Sequence, residues 1–217
     1  MKRLRGLYAI TSQRLCADDI LLLRSAEAAL RGGAALLQYR DKWSDAAARQ
    51  RRARALRELC VDHGALFIVN DEVELALHSG AQGIHLGATD ATLQQARERL
   101  PPGSLVGISC SNSAARIEAA AAAGADYVAI GRFHPSSTKP DAPPATLDHL
   151  RDMRARYPDL PICAIGGITP EHSGPLVAAG ADMIAAVDGL FGGDDAESAA
   201  RRYCAAMGSH TRVTAFH

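Results

Sequence analysis

The sequence predicts the α/β fold class, with the chain closed as a single (β/α)8 TIM barrel over residues 1–207. Three observations point there. Eight short apolar runs alternate with eight helical stretches at short, even spacing. Most runs are near-continuously apolar, as parallel strands covered on both faces are. Four helices end in one phrase: Gly32-Gly33-Ala34-Ala35, Gly80-Ala81-Gln82, Gly124-Ala125-Asp126 and Gly180-Ala181-Asp182. Glycine there supplies the left-handed residue that stops a helix just before the next strand. The count of eight favours closure over an open doubly wound sheet.

The elements follow in order. Gly6–Thr11 is the first strand, and Asp18–Arg31 carries Leu21, Leu22, Ala26 and Leu30 at helical spacing. After the strand Ala35–Tyr39, the helix Ser44–His63 opens on a Ser cap and stops at Gly64. Leu66–Val69 and Gly83–Leu86 are strands, followed by helices Val73–His78 and Ala91–Leu100. Leu105–Ser109 precedes an Ala-rich stretch, Ser113–Ala123, which Arg116 and Glu118 mark as a surface helix. Strands Tyr127–Ile130, Ile162–Ile165 and Met183–Val187 alternate with helices Ala145–Tyr157, Pro170–Ala179 and Ala196–Met207. Residues 208–217 read as a flexible tail, and its His210 and His217 are not expected to be ligands.

Composition narrows the function. Hydrophobic residues are 47% and aromatic ones 5%, so the core must be built from Ala, Leu, Ile and Val. Lys plus Arg equals Asp plus Glu at 24 each, a balance that gives no field for nucleic acid or an anionic membrane. No run approaches the ~20 apolar residues of a membrane span, and Leu7 to Ile10 behind the basic start is too short for a signal peptide. The five cysteines are odd in number and lack C-x-x-C spacing, which reads as reduced thiols of a cytoplasmic protein. Cys163 is expected in the core, and Cys110, beside Ser109, near the site.

Barrel enzymes place their sites at the C-terminal strand ends, so position selects the candidates. Asn70-Asp71 and Asp90 end adjacent strands, and two carboxylates there can hold Mg²⁺ together with phosphate oxygens. Either Asp alone is as readily a helix cap. Arg40 and Lys42 suit phosphate oxygens, one by its fork and one as a point charge, or form a solvated charged loop. Asp41 between them points away or pairs with one of them. After the sixth strand, Ser136-Ser137-Thr138-Lys139 offers small hydroxyl donors beside a cation, although such polar loops also occur without function. His134 in that loop is a possible base but more often a structural histidine. Gly166-Gly167, opening a helix after the seventh strand, lets a phosphate approach backbone amides.

The ordered set resembles the thiamine phosphate synthase family over most of the chain, from Leu7-Tyr8-Ala9-Ile10-Thr11 to Phe191. It comprises Gln38-Tyr39-Arg40-Asp41-Lys42, Ile68-Val69-Asn70-Asp71, His85-Leu86-Gly87 with Asp90, Gly107-Ile108-Ser109, Asp126-Tyr127-Val128, Ser136-Ser137-Thr138-Lys139 and Ala164-Ile165-Gly166-Gly167-Ile168. The resemblance implies a transferase that couples hydroxymethylpyrimidine diphosphate to thiazole phosphate and releases diphosphate. It implies Mg²⁺ on Asp71 and Asp90, and a diphosphate grip from Arg40, Lys42, Asn70, Ser109 and Lys139. Ser136, Thr138 and the Gly167 amide would hold the thiazole phosphate, with Gln38, Val187 and Asp188 also at the substrates. A homodimer is implied as well.

Two departures from the family pattern matter, and a third, Ser136 for the more usual Thr, is mild. Val187-Asp188-Gly189 stands where a Val-Ser pair is usual, and Ala88 where Gln is usual. A carboxylate ~5 Å from a phosphate charge is repelled by roughly 3 kcal/mol at an effective dielectric of ~20. A thiazole tautomerase of the same fold and a non-catalytic regulatory barrel are the competing readings. Arg132 right after the sixth-strand Gly131, where the tautomerases carry a histidine, and the presence of Asp90 favour the synthase. Retention of the whole diphosphate set argues against the regulatory barrel.

Overall fold

The computed structural model describes residues 4–87, 92–135 and 143–208. Its strands are β1 (Gly6–Ile10), β2 (Leu36–Tyr39), β3 (Leu66–Asn70), β4 (Gly83–Leu86), β5 (Leu105–Ser111), β6 (Tyr127–Ile130), β7 (Ile162–Ala164) and β8 (Met183–Ala186). They form one closed barrel in sequence order, every neighbouring pair parallel. Closure is between the ends of the chain, with Leu7 of β1 in register with Ile184 of β8.

The helices are α1 (Gln13–Cys16), α2 (Asp19–Arg31), α3 (Ala46–Asp62), α4 (Val73–Ser79), α5 (Leu93–Arg99), α6 (Ala114–Ala122), α7 (Leu147–Arg156), α8 (Pro170–Ala178), α9 (Asp188–Phe191) and α10 (Ala196–Ala206). The one-turn helices α1 and α9 were not expected, because four residues are too few to show a helical period. The cap of α3 also differs from expectation. Asp45 accepts the Ala48 amide at 2.8 Å, while Ser44 is turned back to accept from Arg52 at 2.5 Å.

Side chains alternate across each strand. One set, including Tyr8, Leu36, Ile68, Tyr127, Cys163 and Met183, fills the barrel interior. The other set, including Leu7, Leu37, Phe67, Val106, Val128 and Ile184, packs under helix residues such as Leu22, Leu56, Ile117 and Leu150. Each such side chain contributes about 1.5–3 kcal/mol by leaving water. This double burial is why the strands read as unbroken apolar runs.

The repeated glycine phrase has two functions. Gly33, Gly80, Gly124 and Gly180 all have positive φ, between 69° and 113°. The polar residue that follows in three of the four phrases takes the amide of the neighbouring strand: Gln82 accepts from Phe67, Asp126 from Val106 and Asp182 from Ile162, at 2.7–3.0 Å. Arg97 and Arg154 hold the two aspartates in place. These contacts lie at the N-terminal end of the barrel, the face that serves stability.

Candidate active site

A cavity of about 210 Å³ opens at the C-terminal end of the barrel. Gln38, Arg40, Asn70 and Ser109 line one half of it, and Gly167, Val187 and Asp188 the other. Lys42 and Asp71 stand beside Asn70 at the mouth, joined by an ion pair. Asp90, Ser136, Thr138 and Lys139, also expected here, lie outside the described residues, as does Ala88.

The exit of β2 is stitched down from both sides. The Arg40 amide donates to Thr11 Oγ1 at 2.8 Å, and the Thr11 hydroxyl donates to the Arg40 carbonyl at 3.1 Å. Asp41 points away from the mouth and is buried. Its Oδ1 accepts the amides of Trp43 and Ser44, and its Oδ2 accepts from the Tyr39 hydroxyl and from Arg52. Burial alone would raise the Asp41 pKa, but these donors outweigh it and hold the carboxyl below its usual range. With Asp41 turned toward α3, Arg40 on one side lines the cavity and Lys42 on the other reaches Asp71 at the mouth. The Arg40 guanidinium carbon lies 5.4 Å from the centre of the Trp43 ring.

At the exit of β3, Asp71 adopts a left-handed backbone, φ 61°, which Asp tolerates better than most residues. Its amide donates to the His85 carbonyl, while Asn70 Nδ2 and Lys42 Nζ approach the same carboxylate oxygen at 2.6 and 2.7 Å. Among the described residues no group of three or more His, Cys, Asp or Glu side chains forms a closed metal cage. A rim carboxylate beside Arg40 and Lys42, cations suited to phosphate oxygens, nevertheless fits Mg²⁺. That ion takes one or two carboxylates and completes its shell with water and phosphate oxygens.

On the far side, glycine has a packing role in addition to the one expected. A Cβ on Gly166 would lie 2.3 Å from Arg132 Cβ, and one on Gly167 2.1 Å from the Pro135 carbonyl. Both have positive φ. The pair is therefore required for the β7 loop to pack on the β6 loop, with the His134 amide donating to the Gly166 carbonyl at 3.0 Å. Among the described residues no acceptor takes the Gly167 amide, which stays available to an anion at the cavity wall. Asp188 opens α9 and is exposed at the cavity edge. His134 stacks on His172 at 3.6 Å. Burial and then the neighbouring imidazole lower its pKa.

Cys110 is not at the cavity. It is buried on the outer side of β5, and burial pushes its thiol up to about 12. Cys163 lines the cavity floor, its thiol likewise raised by burial.

The sequence reading assigned no role to Tyr8, His85 and Tyr127. In the barrel interior they form a chain of polar contacts. Gln38 Nε2 donates to Tyr8 OH at 2.8 Å, the Tyr8 and Tyr127 hydroxyls are 2.8 Å apart, Tyr127 OH is 3.0 Å from His85 Nδ1, and His85 Nε2 is 2.9 Å from Ser109 Oγ. Gly107 makes room for it, since a Cβ there would lie 2.0 Å from the Tyr127 ring. The available signal was a hydroxyl or imidazole at inward parity in an otherwise apolar strand, where a buried polar tip must find a partner.

The sequence model described as thiamine monophosphate synthase matches residues 7–190. The thiamine-phosphate synthase of Thioalkalivibrio sulfidiphilus is 51% identical over 205 residues, covering 94% of this chain and 96% of that protein. Its counterpart in Acidithiobacillus ferrooxidans is 50% identical over 203 residues, covering 92% and 93%. Among solved structures, the thiamine phosphate pyrophosphorylase of Pyrococcus furiosus superposes with a TM-score of 0.84 at 31% identity, covering 93% of this chain and 95% of that one. A 3-hexulose-6-phosphate synthase, at 16% identity and a TM-score of 0.70, shares the barrel alone.

Proposed function

The chain belongs to the thiamine monophosphate synthase family, and on that premise we propose that it condenses hydroxymethylpyrimidine diphosphate with thiazole phosphate. The products are thiamine phosphate and diphosphate. The observation that carries this reading is the family match over residues 7–190, together with the convergence of Arg40, Asn70 and Ser109 on one cavity with Lys42 and Asp71 at its mouth.

The bond to break joins the pyrimidine methylene to a diphosphate oxygen. As it lengthens, negative charge collects on the diphosphate and positive charge on the methylene. Arg40, Lys42, Asn70, Ser109 and Lys139 are the donors for that developing charge. Asp71 and Asp90 would hold a Mg²⁺, which supplies further neutralisation of the leaving diphosphate when bound. The thiazole phosphate is received by Ser136, Thr138 and the Gly167 amide, with Val187 and Asp188 at the edge. Its ring nitrogen then meets the methylene within the same cavity, a gain from proximity and not from a protein nucleophile. The cavity cysteine fits this account, because a thiol whose pKa is raised by burial is not a thiolate at neutral pH.

The test is direct. Purified protein given both substrates with Mg²⁺ is expected to release diphosphate and form thiamine phosphate, and absence of release would reject the reading.

A further inference from the structure

The polar chain inside the barrel has a direction, and that direction matters for Ser109. Tyr8 and Tyr127 are 1% and 0% exposed, so no bulk water breaks the series. Burial raises both phenol pKa values far above their usual range, and each hydroxyl therefore keeps its single hydrogen. An amide nitrogen only donates. With Gln38 Nε2 donating to Tyr8, the Tyr8 hydrogen is directed to Tyr127 and the Tyr127 hydrogen to His85 Nδ1. A neutral imidazole that accepts at one nitrogen carries its hydrogen on the other. His85 Nε2–H then donates to Ser109 Oγ, which leaves the serine hydrogen for the cavity.

We propose that Gln38, Tyr8, Tyr127 and His85 are positioning residues, a one-way hydrogen-bond chain from β2 to β5 that makes Ser109 a donor toward the substrate diphosphate. Were the Gln38 amide turned over, every bond would reverse, and Ser109 would spend its hydrogen on His85. Among the described residues no partner takes the side-chain oxygen of Gln38, a residue that lines the cavity. A substrate N–H resting on that oxygen holds the amide in the donating sense. Occupancy of the pyrimidine end thus prepares the diphosphate end, through side chains that touch neither phosphate.

This inference rests on the proposed reaction only for the identity of the anion. The chain direction is tested without substrate by ¹⁵N-histidine NMR, with the His85 signals identified by their loss in His85→Asn. The native protein is expected to show His85 protonated at Nε2. Gln38→Glu, whose carboxylate only accepts, is expected to move the proton to Nδ1. A native Nδ1–H tautomer, or a Gln38→Glu protein that keeps Nε2–H, overturns the proposal.

Kinetics supply the second arm. Tyr127→Phe keeps the ring that fills the space beside Gly107 and removes the link. It is expected to lower kcat about tenfold while KM for the pyrimidine diphosphate moves less than about twofold. Ser109→Ala should then cost much less in the Tyr127→Phe background than in the native one, because the two act as a unit. Multiplicative losses would overturn the proposal. Native protein that releases no diphosphate would reject the reaction instead and leave the NMR result standing. If Tyr127→Phe does not fold, Gln38→Glu decides alone.

Discussion

Lys42 Nζ lies 2.7 Å from Asp71 Oδ2, so the cation of one loop is balanced by the carboxylate of the next before any ligand arrives. The lysine is half exposed and the aspartate mostly covered, which makes Lys42 the partner able to move toward a phosphate. An exposed pair of this kind contributes little to stability, about 0–1 kcal/mol. Its importance is in ordering two loops that meet at the cavity mouth.

Asp71→Asn keeps the shape and removes the charge. We expect the Mg²⁺ concentration for half-maximal rate to rise on the order of tenfold or more, read from diphosphate release against Mg²⁺. An unchanged Mg²⁺ dependence would take Asp71 out of the metal site.

Lys139→Ala removes one proposed donor to the developing charge on the diphosphate. A loss of kcat on the order of 10²-fold is expected, in line with removal of a single transition-state donor. Steady-state rates at saturating substrate test it, and a native-like kcat would sink the assignment.

Asp188→Ser replaces an acid at the cavity edge by a neutral donor. Because Asp188 is exposed, water and salt screen much of its repulsion. The expected gain is therefore modest, about 3- to 10-fold lower KM for thiazole phosphate, with the KM for the pyrimidine substrate little changed. Equal or weaker binding in a titration would show that the carboxylate is turned off the phosphate.

The Asp41 site makes stability depend on acid. Its folded pKa is depressed, so its contribution is complete above the unfolded value of about 4 and is lost as pH falls through the folded value. Urea unfolding of the native protein should show stability falling across that acid range, with a shallower slope in Asp41→Asn. At neutral pH the variant should be less stable by about 3 kcal/mol, since Arg52 loses a buried partner. Parallel acid slopes would exclude Asp41 as the titrating group.

Most of the barrel was legible because burial on both faces writes each strand as one apolar run. Arg40, Lys42, Asn70, Asp71 and Ser109 were legible because they stand where those runs stop. The pairing of Arg52 with Asp41 was not, since it joins α3 to the β2 exit and no periodicity encodes a contact between elements. Nor was the chain from Gln38 to Ser109. When both strand faces are apolar, the sequence does not say which parity faces inward, and Tyr8 and Tyr127 look like ordinary core residues until the barrel closes. The close packing that requires Gly166 and Gly167 was hidden for a related reason, because the loop that crowds them comes from β6.

The register of Leu7 with Ile184 carries a consequence for synthesis. A ribosome delivers β1 first, yet its second neighbour is the final strand to emerge. Until then the nascent sheet presents two raw borders able to zip onto other polypeptides. Truncations that stop short of Met183 should accordingly accumulate as insoluble material, whatever the fate of their catalytic groups.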